Sequence, residues 1–220
     1  MPTDPIYYRR NLPHYQPPSA TFFVTFRLRG SLPKEVVEQL KEEQMREQAR
    51  IRRTIQDKNK LRRALIEVGK RSFARYDKYL DTASNGSHWL SDDRVVAMIC
   101  QSIHNLDGKE YDLICYCLMS NHVHMVFSLE QFSESFVRDT VPNYVVTDII
   151  GNLKKYTAHR ANLILKRSGG FWQHESYDHV VRSGEELQRI ICYVLNNPVK
   201  AGLVKEWNQW KWSYCNPKYL

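Results

Sequence analysis

The sequence predicts a mixed chain of strands and helices, either one globular domain carrying an insertion or two small domains in 220 residues. Three observations carry this. Residues 21–29 (TFFVTFRLR) are β-branched and aromatic, as a strand requires. Residues 111–129 (YDLICYCLMSNHVHMVFSL) read as two short strands joined by a tight turn at Ser120-Asn121. Several other stretches repeat apolar residues at helical spacing. A hydrophobic content of 42% and an aromatic content of 12% are ample for a core and argue against global disorder. No apolar run approaches the ~20 residues of a membrane span. The N-terminus lacks an apolar signal segment, so a cytoplasmic protein without a membrane partner is expected.

The elements follow in order. Residues 1–20 carry Pro2, Pro5, Pro13, Pro17 and Pro18 and read as an extended arm, whose Arg9, Arg10 and His14 either touch phosphate or stay solvated. In the first strand, Phe22, Val24, Phe26 and Leu28 alternate with Phe23, Thr25, Arg27 and Arg29, and the second set suggests a wet or ligand-facing side. Residues 34–80 are charged and nearly free of Gly and Pro. Their composition is helical without a clean heptad, so one or two exposed helices or a projecting hairpin are expected rather than a coiled coil. Within them, residues 50–63 place seven Lys and Arg around a single Asp57. That is a candidate phosphate-tracking surface or a solvated helix face. The domain reading is an arm and first strand at 1–33, a charged helical insertion at 34–90, and 91–220 completing one domain with 1–33.

Residues 91–105 read as a helix capped by Ser91, with Asp92 and Asp93 in its first turn. Residues 130–143 are a connection. Residues 147–167 form an amphipathic helix with Lys154 and His159 off its apolar stripe, stopped by Ser168-Gly169-Gly170. Residues 171–182 are strand-like and aromatic. Ser183 and Glu186 match a capping box, and Leu187, Ile190, Ile191, Val194 and Leu195 continue at helical spacing until Pro198 ends the helix at Asn197.

The chemistry-bearing residues lie on the second half. His122 and His124, two apart on a strand, share a face and can hold one metal ion; two surface histidines at a hairpin would show the same spacing. Arg189, Tyr193 and Asn197 are four apart and stack on one helix stripe. If that helix end meets the metal-facing side of the sheet, Asn197 supplies an oxygen ligand and Tyr193 lies beside the metal; otherwise they are an ordinary helix tyrosine and a cap. The five cysteines, odd in number and without a C-x-x-C, read as reduced thiols. A net charge of +8 points to an anionic partner, most simply nucleic acid.

With these residues in view, the chain resembles the single-tyrosine HUH transposases, and most closely the bacterial REP-associated tyrosine transposases. The carrying stretches are YRRNLPHYQPPSATFFVTFRLRGSLP at 8–33, MSNHVHMV at 119–126, FWQHESYDHVV at 171–181 and YVLNNPVKAGLV at 193–204. The resemblance implies a ferredoxin-like α+β domain, an antiparallel sheet with helices packed on one face, in which the long helical insertion is not part of the minimal core. It implies Mg2+ or Mn2+ bound by His122 and His124, with Asn197 as third ligand where related transposases use Gln. It implies Tyr193 as the nucleophile, with Tyr177 the rival. The implied reaction is cleavage and rejoining of single-stranded DNA through a 5′-phosphotyrosine, on REP-like hairpins, by a monomer or homodimer. Candidate DNA contacts are Arg9, Arg10, Lys154, His159 and Trp172. Two other readings stand beside it: a DNA-binding or regulatory protein that keeps the fold without cleaving, and a metal-dependent hydrolase that uses water.

Overall fold

The computed structural model describes residues 6–9, 13–17, 19–82, 86–132 and 144–220, with the side chains of 6–9 and 13–16 outside the description. Two units are present: Met1–Arg29 together with His88–Leu220, and Gly30–Ser87.

In the first unit, β1 (Ile6–Arg9) and β2 (Pro13–Gln16) pair antiparallel, so the arm expected to be extended is a small two-stranded sheet. The main sheet has five antiparallel strands: β3 (Thr21–Arg27), β4 (Asp112–Leu118), β5 (His122–Ser128), β6 (Tyr177–Val180) and β7 (Ser213–Cys215). Their spatial order is β6-β3-β5-β4-β7. This is the expected α+β class with an antiparallel sheet.

Alternation along the strands gives the sheet two unlike faces. Phe22, Val24, Phe26, Val123, Met125 and Phe127 enter one core with α3 (Asp93–Leu106) and α4 (Val145–Ile164). The opposite face carries Phe23, Thr25, His122 and His124. It is covered by α5 (Gly184–Leu195), which lies against β4, β5 and β7 and buries Ile191, Val194 and Leu195. Helices therefore lie on both faces, and α5 is the one that meets the histidines. A β-bulge between Leu113 and Cys115 shifts the alternation of β4. Leu113 and Tyr116 stay in the core, while Cys115 and Cys117 fall opposite Val126 and His124 on the α5 side. None of the five cysteines is in a disulfide.

Two helix starts differ in detail from expectation. Ser91 ends a short 3-10 turn, Trp89–Ser91, and Asp92 caps α3 instead, its carboxylate accepting from the Arg94 amide at 3.0 Å. The turn advances the chain by one residue, and an aspartate serves as well as a serine at a cap. At α5, the Ser183 hydroxyl accepts from the Glu186 amide at 3.1 Å as expected. The Glu186 carboxylate accepts from the amide of Arg182, one residue upstream of the donor in a reciprocal box, at 2.9 Å, and meets His179 Nε2 at 3.0 Å. After α5 the chain turns at Asn196 into the four-residue α6 (Asn197–Lys200), with Pro198 in its first turn.

The second unit is a helix pair. α1 (Lys34–Thr54) and α2 (Lys58–Thr82) are separated by Ile55, Gln56 and Asp57. Across the pair run Glu43–Arg75 at 3.3 Å, Glu47–Arg71 at 2.6 Å and a Ser72-to-Gln44 hydrogen bond at 3.1 Å. Among the described residues, no helix is long and apolar enough to cross a membrane.

Candidate metal centre and nucleophile

The β4–β5 turn sets the site. Ser120 and Asn121 form a two-residue loop closed by the Met119 amide donating to the His122 carbonyl at 2.9 Å. Strand alternation then aims His122 and His124 at the same side, and both are 0% exposed. Their ring centroids are 4.6 Å apart and their Nε2 atoms 3.1 Å apart. Two nitrogens about 2.1 Å from one ion, subtending about 90–110°, are roughly 3.0–3.4 Å from each other. The observed separation fits one shared ion.

The far ring nitrogens are held. His122 Nδ1 lies 2.6 Å from Asn121 Oδ1, and His124 Nδ1 lies 2.7 Å from Thr25 Oγ1. The Asn121 oxygen accepts, so a neutral His122 carries its proton on Nδ1 and presents the Nε2 lone pair. The Thr25 hydroxyl can accept in the same way. Partners of this kind fix ring orientation and tautomer for ligation. Thr25 reaches His124 because the β3–β5 register places them opposite each other.

Helix α5 brings the tyrosine. The half-buried Tyr193 ring stands edge-on to His124 at 5.7 Å and to Phe23 at 6.0 Å. Lys200 Nζ sits 4.2 Å from the Tyr193 ring centroid, a cation–π distance. Asn197 is wholly buried. Neither its Oδ1 nor its Nδ2 has a hydrogen-bond partner among the described residues. An unpartnered buried amide costs of order 1–3 kcal/mol, and the Asn197 oxygen is left open to a ligand. Capping does not account for it: Asn196 is the α5 cap residue, its Nδ2 donating to the Cys192 carbonyl at 2.9 Å. Two buried imidazoles with converging nitrogens suit a divalent metal ion.

The remaining candidates are placed as follows. Arg10 lies outside the described residues, as does the side chain of Arg9. Lys154 is buried, and its Nζ donates to the His174 carbonyl at 2.9 Å and to Ser176 Oγ at 3.1 Å. Burial, with the nearby Arg27 charge, lowers its pKa to about 8. Trp172 is 8% exposed, edge-on to Phe26 at 4.9 Å, and its Nε1 donates to Thr157 Oγ1 at 3.0 Å, so the ring belongs to the core. His159 is exposed on α4. Tyr177 pairs with Thr25 in the sheet, and its ring meets Phe23 at 6.1 Å. Sequence reasoning missed Thr25 and Asn121 as histidine partners, and Lys200 beside the phenol. The alternation that put Thr25 on a ligand-facing side was the one usable signal.

No protein-family model matches the chain. The chain is similar to a Haemophilus influenzae protein whose name assigns it to the REP-associated tyrosine transposases. The two are 24% identical over 104 residues, which is 47% of this chain and 58% of the relative. The match thus spans little more than half the length of that curated relative. The chain is also similar to a solved structure of a REP-associated tyrosine transposase bound to a REP hairpin, with a TM-score of 0.45 and 14% identity over 94% of this chain and 80% of that one.

Proposed function

We propose that this protein is a metal-dependent tyrosine transposase that cleaves and rejoins single-stranded DNA beside a REP-like hairpin. The observation that carries the reading is the 3.1 Å approach of the His122 and His124 Nε2 atoms, with the Tyr193 ring edge-on to His124 at 5.7 Å. The similarity to a relative named as a REP-associated tyrosine transposase supports it.

In this reading His122, His124 and Asn197 hold Mg2+ or Mn2+. An ion held there would supply Lewis-acid polarisation of the scissile phosphate and offset negative charge in the transition state. Tyr193 supplies the nucleophile. Its oxygen attacks phosphorus in line, an O–P bond to tyrosine forms, and the bond to the 3′ oxygen breaks. The phenol proton leaves to solvent, and the departing oxygen takes up a proton as a 3′-hydroxyl. The 5′-phosphotyrosine keeps the phosphodiester bond energy, so a second 3′-hydroxyl can reverse the step and join new ends without a nucleotide cofactor. The Lys200 ammonium holds positive charge beside the phenol and stabilises negative charge that develops there during attack. Thr25 and Asn121 keep the imidazoles aimed.

The test is incubation of end-labelled hairpin DNA with wild-type protein and with Tyr193→Phe, in Mn2+ and then in EDTA. A covalent adduct that requires both the metal and Tyr193 is expected. Cleavage that survives Tyr193→Phe would instead indicate a water-using nuclease. Tight hairpin binding without cleavage would indicate a binding protein.

A further inference from the structure

The charge of the helix pair is segregated along its length. Residues 50–63, the end of α1, the connection and the start of α2, carry seven Lys and Arg against one Asp. Their net +6 is three quarters of the whole chain's +8. The rest of the two helices, 34–49 and 64–82, carries seven Lys and Arg against eight Asp and Glu.

Four of the eight acids there are in ion pairs. Glu43 and Glu47 cross to Arg75 and Arg71, and Glu42 and Glu67 pair with Arg46 and Lys70 on their own helices. At the tip all seven cations are exposed. Among the described residues, Arg50, Arg52, Arg53, Lys58, Lys60 and Arg63 make no salt bridge, and the Asp57 carboxylate accepts from the Lys60 backbone amide at 2.7 Å.

Helix stability does not explain this pattern. Arg52 and Arg53 suit the negative C-terminal end of α1, but Lys58 and Lys60 stand at the positive N-terminal end of α2, whose first turn holds no acid. Like charges three and four apart also repel. The arrangement costs stability in isolation and gains it against a polyanion. Residues 50–63 contain no aromatic side chain, whereas single-strand platforms depend on base stacking. A duplex offers the denser target, one charge per about 1.7 Å of axis.

We propose that the tip of the α1–α2 pair, residues 50–63, grips the sugar-phosphate backbone of a duplex DNA stem without reading its sequence. The identity of that stem as the hairpin rests on the function proposed above; the duplex contact does not. Contact of all six cations without a salt bridge would give a salt slope of about −5 in log K against log[salt].

The test compares full-length wild type with Arg52→Gln/Arg53→Gln/Lys58→Gln/Lys60→Gln by fluorescence anisotropy across a salt series. The probes are a DNA hairpin and an unpaired oligonucleotide of equal length. All four positions are exposed, and circular dichroism checks the fold. The expected result is at least a tenfold loss of hairpin affinity at 0.1 M salt, with a slope smaller in magnitude by about 3–4. Affinity for the unpaired strand stays unchanged, as does the Tyr193 adduct yield on hairpin DNA at saturating protein. Unchanged hairpin affinity and slope in the folded variant would overturn the proposal, as would equal losses on both probes. Failure of any DNA to form a Tyr193 adduct would count against the transposase reading alone and leave the binding comparison intact.

Discussion

The α5-facing side of the sheet and the tip of the helix pair are both polar, and they are built on opposite principles. On the sheet, few polar groups are used and each is fixed: His122 by Asn121, His124 by Thr25, Tyr193 by rings on two sides. At the tip many charges are used and six of them make no salt bridge among the described residues. The first design places atoms to within a fraction of an ångström, as bond-making requires. The second supplies field strength, which tolerates loose geometry and falls with salt. Single substitutions at the sheet should therefore each cost tenfold or more, whereas losses at the tip should be graded and additive.

The largest effect is expected at Tyr193. Tyr193→Phe should lower adduct formation at least a thousandfold while changing hairpin affinity less than twofold, measured by denaturing gel and by anisotropy. A large loss of affinity would blur the separation of chemistry from binding. Next come the partners of the imidazoles. Asn121→Ala and Thr25→Val should each weaken Mn2+ binding by about 10–100-fold in calorimetric titration. Unchanged affinity would mean that the hydrogen bonds to Nδ1 do not orient the ligands.

Asn197 gives a sharper result because two properties move in opposite directions. Asn197→Leu should weaken Mn2+ binding, yet raise metal-free stability by about 1–3 kcal/mol in urea unfolding, because it removes a buried amide without partners. Loss of stability on this substitution would show that the amide is satisfied in the fold.

The smallest effect concerns Lys154. Its folded pKa of about 8 lies below the usual 10.5. Between those values the unfolded chain binds more protons than the folded one, so stability rises with pH from about 8 to 10.5. Lys154→Met should flatten that rise when melting temperatures at pH 7.5 and 9.5 are compared. An unchanged pH dependence would place the titrating group elsewhere.

What was legible in the sequence was local. The period-two alternation of 21–29 marks the sheet's two faces, and His122 with His124 needs only one pleat to meet. Tyr193 was legible as a helix residue, whereas Asn197, expected one turn further on the same stripe, lies in α6 beyond the turn at Asn196. What was hidden depended on distant pairing or a change of direction. Thr25 and His124 are 99 residues apart and meet only through strand register. Lys200 comes over the Tyr193 ring because the chain turns at Asn196, which no spacing rule encodes. Trp172, offered as a stacking surface by its residue type, turns inward because the indole donor finds Thr157 on α4. The cap of α3 moved from Ser91 to Asp92 because neighbouring cap-competent residues compete and a 3-10 turn decides between them.

The most direct test is to identify the residue that carries DNA. Wild-type protein is reacted with hairpin DNA in Mn2+, digested with nuclease and protease, and the nucleotide-bearing peptide is sequenced by mass spectrometry. The nucleotide is expected on Tyr193, in the peptide that also contains Asn197 and Lys200 when cleavage at lysine is blocked. A nucleotide on Tyr177 would contradict the assigned nucleophile. Cleaved DNA with no modified tyrosine would contradict the covalent mechanism.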